Sequence, residues 1–288
     1  MAAAVEQAYR YCRWLTASHY ENFPVASWLI PAALRPHVAA IYAFARTADD
    51  LSDEESDPER ALTRLARWGE QLESCAAGQA AHPVLIALGE TIRTRRLPLQ
   101  LFRDLLTAFT RDVTVHRYAT WDSLRDDYCR YSANPVGRLV LLLFGHRDSE
   151  LHLLSDRICT ALQLTNFWQD LAIDLKKDRI YLPQEAMARH GVTERALFDQ
   201  IVDDQFRALM AEAADVAEQL FLDGAALPEC VEGRLAWELR ATWLGGMTIL
   251  QRVQTAGYDT FHHRPALTTR DALRIGWRAL ARNGHAAH

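Results

Sequence analysis

The chain has 288 residues, a net charge of −5 at pH 7 and 49 % hydrophobic residues. This mild acidic balance argues against a nucleic-acid-binding protein that works through a broad basic surface. With only 13 glycines and 10 prolines, the composition favours long helices around a sizeable core over disorder.

The cysteines and the N-terminus bear on the cellular compartment. An odd number of cysteines without a Cys-x-x-Cys pair argues against a zinc ribbon or a disulfide framework. The five residues are Cys12, Cys75, Cys129, Cys159 and Cys230. Glu6, Arg10 and Arg13 lie where a signal peptide needs an apolar run, and the longest apolar run, residues 139–144, is far shorter than the ~20 residues of a membrane span. We therefore expect a soluble, cytoplasmic protein, for which peripheral contact with the inner face of the membrane stays open.

Helix-start signals recur along the whole chain, without a linker or an internal repeat. Asp57 before Pro58 is a predicted N-cap, and Thr268 with Asp271 resembles a capping box that has Asp in place of Glu. Further starts are predicted at Pro31, Pro83, Pro98, Thr120, Pro135, Ser149 and Pro228. A helix from about Ser149 to Lys176 would be ~42 Å long, enough to line a deep central cavity. We predict one all-α domain over residues 1–288, with ten or more helices of about 10–28 residues around a hydrophobic cavity.

Pairs of aspartates four residues apart place two carboxylates on one helix face. This spacing occurs six times, and most pairs have a plain structural explanation at a helix start or on a solvated face. Two pairs stand out because apolar residues surround them: Asp49 with Asp53, and Asp170 with Asp174, which Asn166 precedes by one turn. Like charges cost an exposed helix ~0.2–0.5 kcal/mol and more when buried, so a cation, a partner Arg or Lys, or a raised pKa must compensate. We predict a site at which a hard cation such as Mg²⁺ bridges oxygen ligands to phosphate.

Other metal and nucleophile chemistries lack their signatures. A di-iron bundle needs Glu-x-x-His on two helices, and the sequence has none. The HExxH, P-loop and GxSxG motifs are also missing, and scattered Cys and His do not support a Cys nucleophile.

Three further segments are unusual for plain helices. In residues 128–137, Asn134-Pro135 followed by Gly137 predicts an interrupted helix, which serves either a ligand or packing alone. Residues 19–24 read either as an ordinary helix exit or as a lid with phosphate contacts. Residues 179–183 end the second carboxylate helix, where Arg179 would bind phosphate or neutralise the helix dipole.

Together these segments resemble the squalene/phytoene synthase family. Residues 42–53 look like its first aspartate-rich motif, residues 163–174 like the second, and residues 128–137 and 179–183 like the stretches that accompany them. The resemblance runs from about residue 19 to residue 264. It implies an all-α isoprenoid-synthase fold, Mg²⁺ bridging both motifs to a substrate diphosphate, and a hydrophobic cavity for prenyl tails.

Matching positions carry the family's roles onto this chain. The resemblance implies that metal and diphosphate are held by Asp49, Asp53, Asn166, Asp170 and Asp174, and that the four aspartates and Tyr128 are catalytic. It implies that substrate is bound by His19, Asn22, Phe23, Tyr42, Arg46, Arg130, Ala133, Asn134, Gln163, Asn166, Gln169 and Arg264.

Departures from the family pattern narrow the expected reaction. Gln169 stands where enzymes that couple two prenyl diphosphates usually carry Arg, and residues 132–134 read Ser-Ala-Asn rather than Val-Ala-Gly. A Tyr expected on the C-terminal helix is Met247, and a Ser of the N-terminal motif is Tyr20. These variants favour a branch that ionises presqualene diphosphate and captures the rearranged cation with water, for which Ser132, Asn134 and Gln169 are candidates to place the water.

Two alternatives stay open. One is a family member that couples two farnesyl diphosphates to presqualene diphosphate, squalene or a carotenoid precursor. The other, from a different class, is a catalytically silent subunit that binds lipid or serves assembly, which the intact carboxylate pairs disfavour because idle buried carboxylates are costly.

Overall fold

The computed structural model describes residues 2–18, 29–53 and 57–280. Within these ranges the protein is all-α, as predicted, and the only extended pairing recorded there is an isolated bridge between Arg117 and Ile180. The helices are α1 Ala2–Ser18, α2 Arg35–Asp53, α3 Pro58–Ala76, α4 Pro83–Arg95, α5 Leu99–Thr114, α6 Trp121–Leu124, α7 Ala133–Leu143, α8 Ser149–Lys176, α9 Gln184–His190, α10 Glu194–Phe198, α11 Asp204–Gly224, α12 Gly233–Thr255 and α13 Thr269–Leu280. A π-helix, Arg125–Cys129, follows α6, and a 3₁₀ helix, Leu227–Glu229, precedes α12.

Local capping explains where several helices begin. The Asp57 carboxylate accepts a hydrogen bond from the Glu59 amide at 3.0 Å, which confirms the predicted N-cap of α3. At the start of α13, the Asp271 carboxylate accepts from the Thr268 amide at 2.7 Å, and the Asp271 amide donates to the Thr268 hydroxyl at 3.3 Å. The predicted capping box with Asp is therefore present, and α8 has the predicted bounds.

Two of the predicted helix starts were wrong. Pro31 lies in a turn closed by the Leu34 amide, so α2 begins only at Arg35. Pro228 lies within the 3₁₀ helix Leu227–Glu229, and the long helix α12 begins only at Gly233. Ten of the α-helices in the described ranges have 11–28 residues, as predicted, and α6, α9 and α10 are shorter additions of 4, 7 and 5 residues.

The chain divides into two compact units. The first comprises Met1–Val115 and Arg130–Asp148, and the second comprises His116–Cys129 and Ser149–His288. The prediction of a single domain around a central cavity stays a prediction.

In the first unit, three packed aromatic rings hold the helix that carries the first carboxylate pair. Phe44 of α2 is fully buried and stacks on Trp68 of α3 at 5.8 Å, while Phe102 of α5 meets its edge at 5.6 Å. Ala40, Ala43 and Ala48 are also fully buried, and their small side chains let neighbouring helices approach α2 closely.

In the second unit, α8 packs against α11 and α12. Trp168 of α8 is fully buried, and its indole N–H donates to the Ala213 carbonyl of α11 at 3.1 Å. Gly246 of α12 leaves room for Leu162 of α8, whose Cδ2 would lie 2.7 Å from any Cβ at that position. These contacts fix the rotation of α8, and with it the direction of the second carboxylate stripe.

None of the helices in the described ranges has the length and hydropathy of a membrane span.

Candidate active site

The first carboxylate stripe lies on α2, beside the face that packs into the core. Phe44, Ala48 and Ser52 are buried, whereas the Asp49 side chain is 39 % exposed. Because Asp49 and Asp53 are one turn apart, they share the stripe next to the buried face. The core thus positions these carboxylates without enclosing them.

Arg46 compensates the charge at the start of this stripe. Its Nη1 lies 3.1 Å from Asp49 Oδ2, and its Nη2 lies 2.5 Å from Asp50 Oδ1. The three side chains are between 27 % and 39 % exposed, so the pairs are only partly screened by solvent. The guanidinium therefore places positive charge beside the first carboxylate stripe.

Tyr42 lies one turn before Arg46 on the same helix. Burial raises the pKa of the Tyr42 phenol, and the carboxylates of Asp49 and Asp50 raise it further, while Arg46 acts in the opposite direction. The phenol therefore stays protonated at neutral pH.

The second stripe lies on α8, where Asn166, Asp170 and Asp174 follow one another at four-residue spacing. The Asn166 amide donates to Asp170 Oδ2 at 2.8 Å. Arg264 donates hydrogen bonds to both oxygens of the same carboxylate, with Nε 2.5 Å from Oδ1 and Nη2 3.2 Å from Oδ2. The required compensation at Asp170 is thus a bidentate guanidinium. The hydrogen bond to the Asp170 carboxylate in turn raises the pKa of Arg264.

Gln169 ties α8 to the same segment. Its Nε2 donates to the Pro265 carbonyl at 2.5 Å, next to the Arg264 that binds Asp170. Two consecutive residues of α8 therefore hold two consecutive residues of the segment between α12 and α13. Sequence reasoning placed Gln169 and Arg264 at the site but gave no reason to connect them, since the bonded residues are 94 and 96 positions apart.

Tyr128 belongs to a group of aromatic rings that we call the aromatic cluster: Tyr118, Tyr128, Phe167 and Tyr181. Phe167 of α8 and Tyr181 stack in parallel with centroids 3.6 Å apart, and Tyr128 lies 5.5 Å from each. Tyr118 closes the group at 5.9 Å from Tyr128. The sequence analysis assigned a site role only to Tyr128, because rings that meet from four separate segments leave no common pattern in the sequence.

The predicted interruption of the helix near Tyr128 is confirmed. A π-helix ends at Cys129, a turn follows, and α7 begins at Ala133, with Asn134 in its first turn. Tyr131 lies in this turn, and two guanidinium groups lie over its ring. The carbon of the Arg130 guanidinium is 5.6 Å from the ring centroid, and that of Arg111, from α5, is 5.3 Å away. Arg111 of α5 was not predicted, and nothing in its local sequence singles it out.

The other residues predicted to bind substrate lie partly on described helices and partly outside the described ranges. Gln163 is half-buried on α8, one turn before Phe167, and Ala133 is half-buried at the start of α7. His19, Asn22 and Phe23 lie outside the described residues, as does Tyr20. The assignments of metal, substrate and catalytic roles stay predictions.

The donor chemistry of both stripes fits Mg²⁺. Within the described ranges, no group of three or more His, Cys, Asp or Glu side chains surrounds a common point. Each stripe offers two carboxylates, and α8 adds the Asn166 amide oxygen. Mg²⁺ at phosphate sites is bound by one or two carboxylates plus substrate oxygens rather than by an all-protein cage, and these donor sets suit that mode.

An all-α fold with oxygen-donor stripes on two of its helices defines an enzyme of the isoprenoid-synthase class. The chain matches the squalene/phytoene synthase family model over residues 16–271, and it belongs to that family, whose members act on prenyl diphosphates.

Three relatives illustrate the similarity. A hydroxysqualene synthase from Zymomonas mobilis is 43 % identical over 177 residues, which cover 60 % of this chain and 58 % of that enzyme, so the match spans less than two thirds of its length. A phytoene synthase from Arthrospira platensis is 30 % identical over 280 residues, covering 93 % of this chain and 90 % of that enzyme. The crystal structure of squalene synthase HpnC from Alicyclobacillus acidocaldarius is 43 % identical, with a TM-score of 0.84, and covers 88 % of this chain and 95 % of that chain.

Proposed function

We propose that this protein is a hydroxysqualene synthase, which converts presqualene diphosphate and water to hydroxysqualene and diphosphate. The observation that carries the proposal is Gln169, a neutral amide bonded to the Pro265 carbonyl at the position where coupling enzymes usually carry Arg. The 43 % identity to a hydroxysqualene synthase, against 30 % to a phytoene synthase, supports the same choice.

The reaction begins with cleavage of the C–O bond, whose electron pair leaves with the diphosphate. Mg²⁺, held by Asp49, Asp53, Asn166, Asp170 and Asp174, would neutralise the leaving group when bound. Arg46 and Arg264 add fixed positive charge beside these carboxylates, and protonated Tyr42 can donate a hydrogen bond. No oxidant or reductant is needed, because the electron pair that leaves is replaced by a lone pair of water.

The cyclopropylcarbinyl cation must rearrange before water reaches it. The ring faces of the aromatic cluster are apolar and carry negative quadrupole charge, so they can stabilise a carbocation while keeping bulk water away. Tyr128 is 7 % exposed and Phe167 is 5 % exposed, which matches such shielding.

Water capture needs a polar group that holds one molecule near the cation. Ser132, Asn134 and Gln169 are the polar residues at positions that differ from the coupling enzymes. The Gln169 amide nitrogen is committed to Pro265, so its amide oxygen is the group through which it would accept a hydrogen bond from water. The attacking water then loses its proton to complete the alcohol.

A second candidate is head-to-head coupling of two prenyl diphosphates. It is favoured by the phytoene synthase match, which extends over 93 % of this chain, and by the similarity to a solved squalene synthase. Coupling would use the same diphosphate-binding stripes with a different first substrate.

The test supplies purified protein and Mg²⁺ with either presqualene diphosphate or farnesyl diphosphate and identifies the products by mass spectrometry. The proposal expects hydroxysqualene from presqualene diphosphate and no consumption of farnesyl diphosphate. Consumption of farnesyl diphosphate would establish the coupling reaction instead. Turnover of neither substrate, combined with tight lipid binding, would identify a silent subunit.

Two variants separate the water-placing role from general damage to the site. Gln169→Arg and Asn134→Gly should lower the ratio of the alcohol to hydrocarbons, which form when the cation loses a proton instead of capturing water, while ionisation continues. Asp170→Asn should reduce both products by two to three orders of magnitude. An unchanged product ratio in both variants would remove the support for these residues as water-placing groups.

A further inference from the structure

Helix α13 has one face in the core of its unit. Ile275 and Ala279 are 8 % and 2 % exposed and pack, with Leu244 of α12, into a small apolar cluster. Asp271, one turn earlier on the same face, is also buried, and its carboxylate pairs with Arg252 of α12. Among the described residues, this face holds the packing of α13 against α12.

The opposite face of α13 carries large apolar side chains that point into solvent. Leu273 and Trp277 are each 72 % exposed, and Leu280 is 47 % exposed. At spacings of four and three residues they form one stripe, which we call the α13 ridge. Isolated exposed apolar residues are ordinary, but an aligned Leu-Trp-Leu stripe marks an interaction surface.

A row of arginines runs beside the α13 ridge. Arg270, Arg274 and Arg278 follow each other at four-residue spacing and are all exposed. The one acidic residue of the helix is Asp271, which pairs with Arg252 and accepts hydrogen bonds from Thr268, while Nη2 of Arg274 lies 3.8 Å from its Oδ1. The exposed side of α13 is therefore basic, although the whole chain has a net charge of −5.

We propose that α13 docks on the surface of an anionic phospholipid bilayer. The α13 ridge would enter the boundary between headgroups and acyl chains, where Trp side chains are enriched, and the arginines would bind lipid phosphates. This combination of an apolar face with a flanking basic row is the pattern of helices that lie in the membrane interface. The sequence analysis named no such helix, because the periodicity alone does not tell which stripe of α13 faces solvent.

A second copy of the chain fits this surface less well. A symmetric dimer would place the same patch on both partners, so the arginine rows would face each other and repel. A stable interface also buries roughly 800 Å² per partner, more than three side chains on one helix provide. The proposal concerns a surface and does not depend on which prenyl diphosphate the enzyme uses.

The test is co-sedimentation of the full chain with vesicles of phosphatidylcholine alone and of phosphatidylcholine with an equal part of phosphatidylglycerol. We expect binding to the anionic vesicles, weakened by raising NaCl from about 0.05 M to about 0.5 M, since salt screens the arginines. The double variant Leu273→Ser, Trp277→Ser should lower the partition coefficient by roughly 100-fold, because it removes two large apolar side chains from the interface. Arg274→Glu with Arg278→Glu should lower binding to anionic vesicles only.

Matched controls remove equivalent groups elsewhere. Leu153 is 59 % exposed on α8 and the Arg195 side chain is 91 % exposed on α10, so Leu153→Ser and Arg195→Glu should leave vesicle binding unchanged. The proposal is overturned if the unmodified protein binds neither vesicle, or if the Leu273, Trp277 double variant binds as the unmodified protein does. It is also overturned if sedimentation velocity shows a dimer that this variant dissociates, since the α13 ridge would then join two copies. Circular dichroism melts confirm that each variant is folded.

Discussion

A Glu212→Gln substitution should destabilise the unit that carries the second carboxylate stripe. Glu212 of α11 accepts hydrogen bonds from the Trp121 indole at 3.0 Å, from Arg189 at 2.5 Å and from His190 at 2.8 Å. Trp121 in turn meets the buried ring of Trp168 edge-on, with centroids 5.9 Å apart. The carboxylate thus fixes a side chain that packs directly against α8.

The magnitude follows from the titration of this carboxyl group. Partial burial alone would raise the pKa of Glu212, but the hydrogen bonds from Trp121, His190 and Arg189 lower it from 4.5 to about 2. At full effect this difference corresponds to about 3 kcal/mol. The side chain is 24 % exposed, so solvent screening reduces the contribution, and we expect about 1–2 kcal/mol at pH 7.

The pH dependence has a definite sign. A carboxyl group with a depressed folded-state pKa stabilises the protein fully above its unfolded-state pKa of 4.5, and this contribution is lost as the pH falls toward 2. At pH 3 the difference between the unmodified protein and Glu212→Gln should fall to roughly half of its value at pH 7 or less. Urea unfolding at both pH values measures it.

The control for this experiment is Glu73→Gln. Glu73 accepts two hydrogen bonds from Arg103, at 2.7 Å and 2.8 Å, which lower its pKa, but the pair lies on the surface with both side chains about half exposed. We expect no measurable change in the free energy of unfolding. Equal effects of the two substitutions, or an effect of Glu212→Gln that does not vary with pH, would refute the reasoning.

Three further predictions concern packing, titration and catalysis. Gly246→Ala would force a Cβ against Leu162 and should lower the free energy of unfolding by about 1–3 kcal/mol. The control Gly276→Ala places its Cβ where no atom lies within 4 Å and should not lower it, so equal melting temperatures of the two variants would contradict this prediction. Burial lowers the pKa of His37, so stability should fall as the pH drops below 6.5, and His37→Gln should flatten that dependence in thermal melts. Asp170→Asn should reduce product formation by two to three orders of magnitude while the melting temperature changes little, and near-normal turnover would exclude it from the site.

The helix ends were the most predictable part of the fold, because they depend on neighbouring residues. Asp57, Thr120 and Thr268 each cap a helix through an atom two or three positions away, which is a distance that a sequence pattern records directly. The long α8 was predictable for a related reason, since neither Gly nor Pro interrupts the sequence from Ser149 to Lys176. The short α9 and α10 were not, because too few residues are present to define a periodicity.

The partners of the predicted site residues could not be read from the sequence. The pattern showed that Asp170 needs compensation, but the compensating group, Arg264, comes from 94 residues further along the chain. The same applies to Arg111 beside Tyr131 and to the stacking of Phe167 on Tyr181. The local sequence indicated which side chains need a charge or packing partner, and the tertiary structure determines which residue supplies that partner.

The pairing of Asp170 with Arg264 also explains how a stripe of like charges can exist before any cation binds. Asp170 is 19 % exposed and would be costly to leave unpaired, whereas Arg264 is 51 % exposed. Under the proposed function, the more exposed guanidinium would therefore move to an incoming diphosphate only as a cation takes its place at the carboxylate, which stays on α8. A ligand that brings its own cation satisfies both partners at once, since the carboxylate gains the cation and Arg264 gains the anion. Exchange of this kind keeps the stripe stable without ligand and still open to one, which a permanently buried ion pair would not allow.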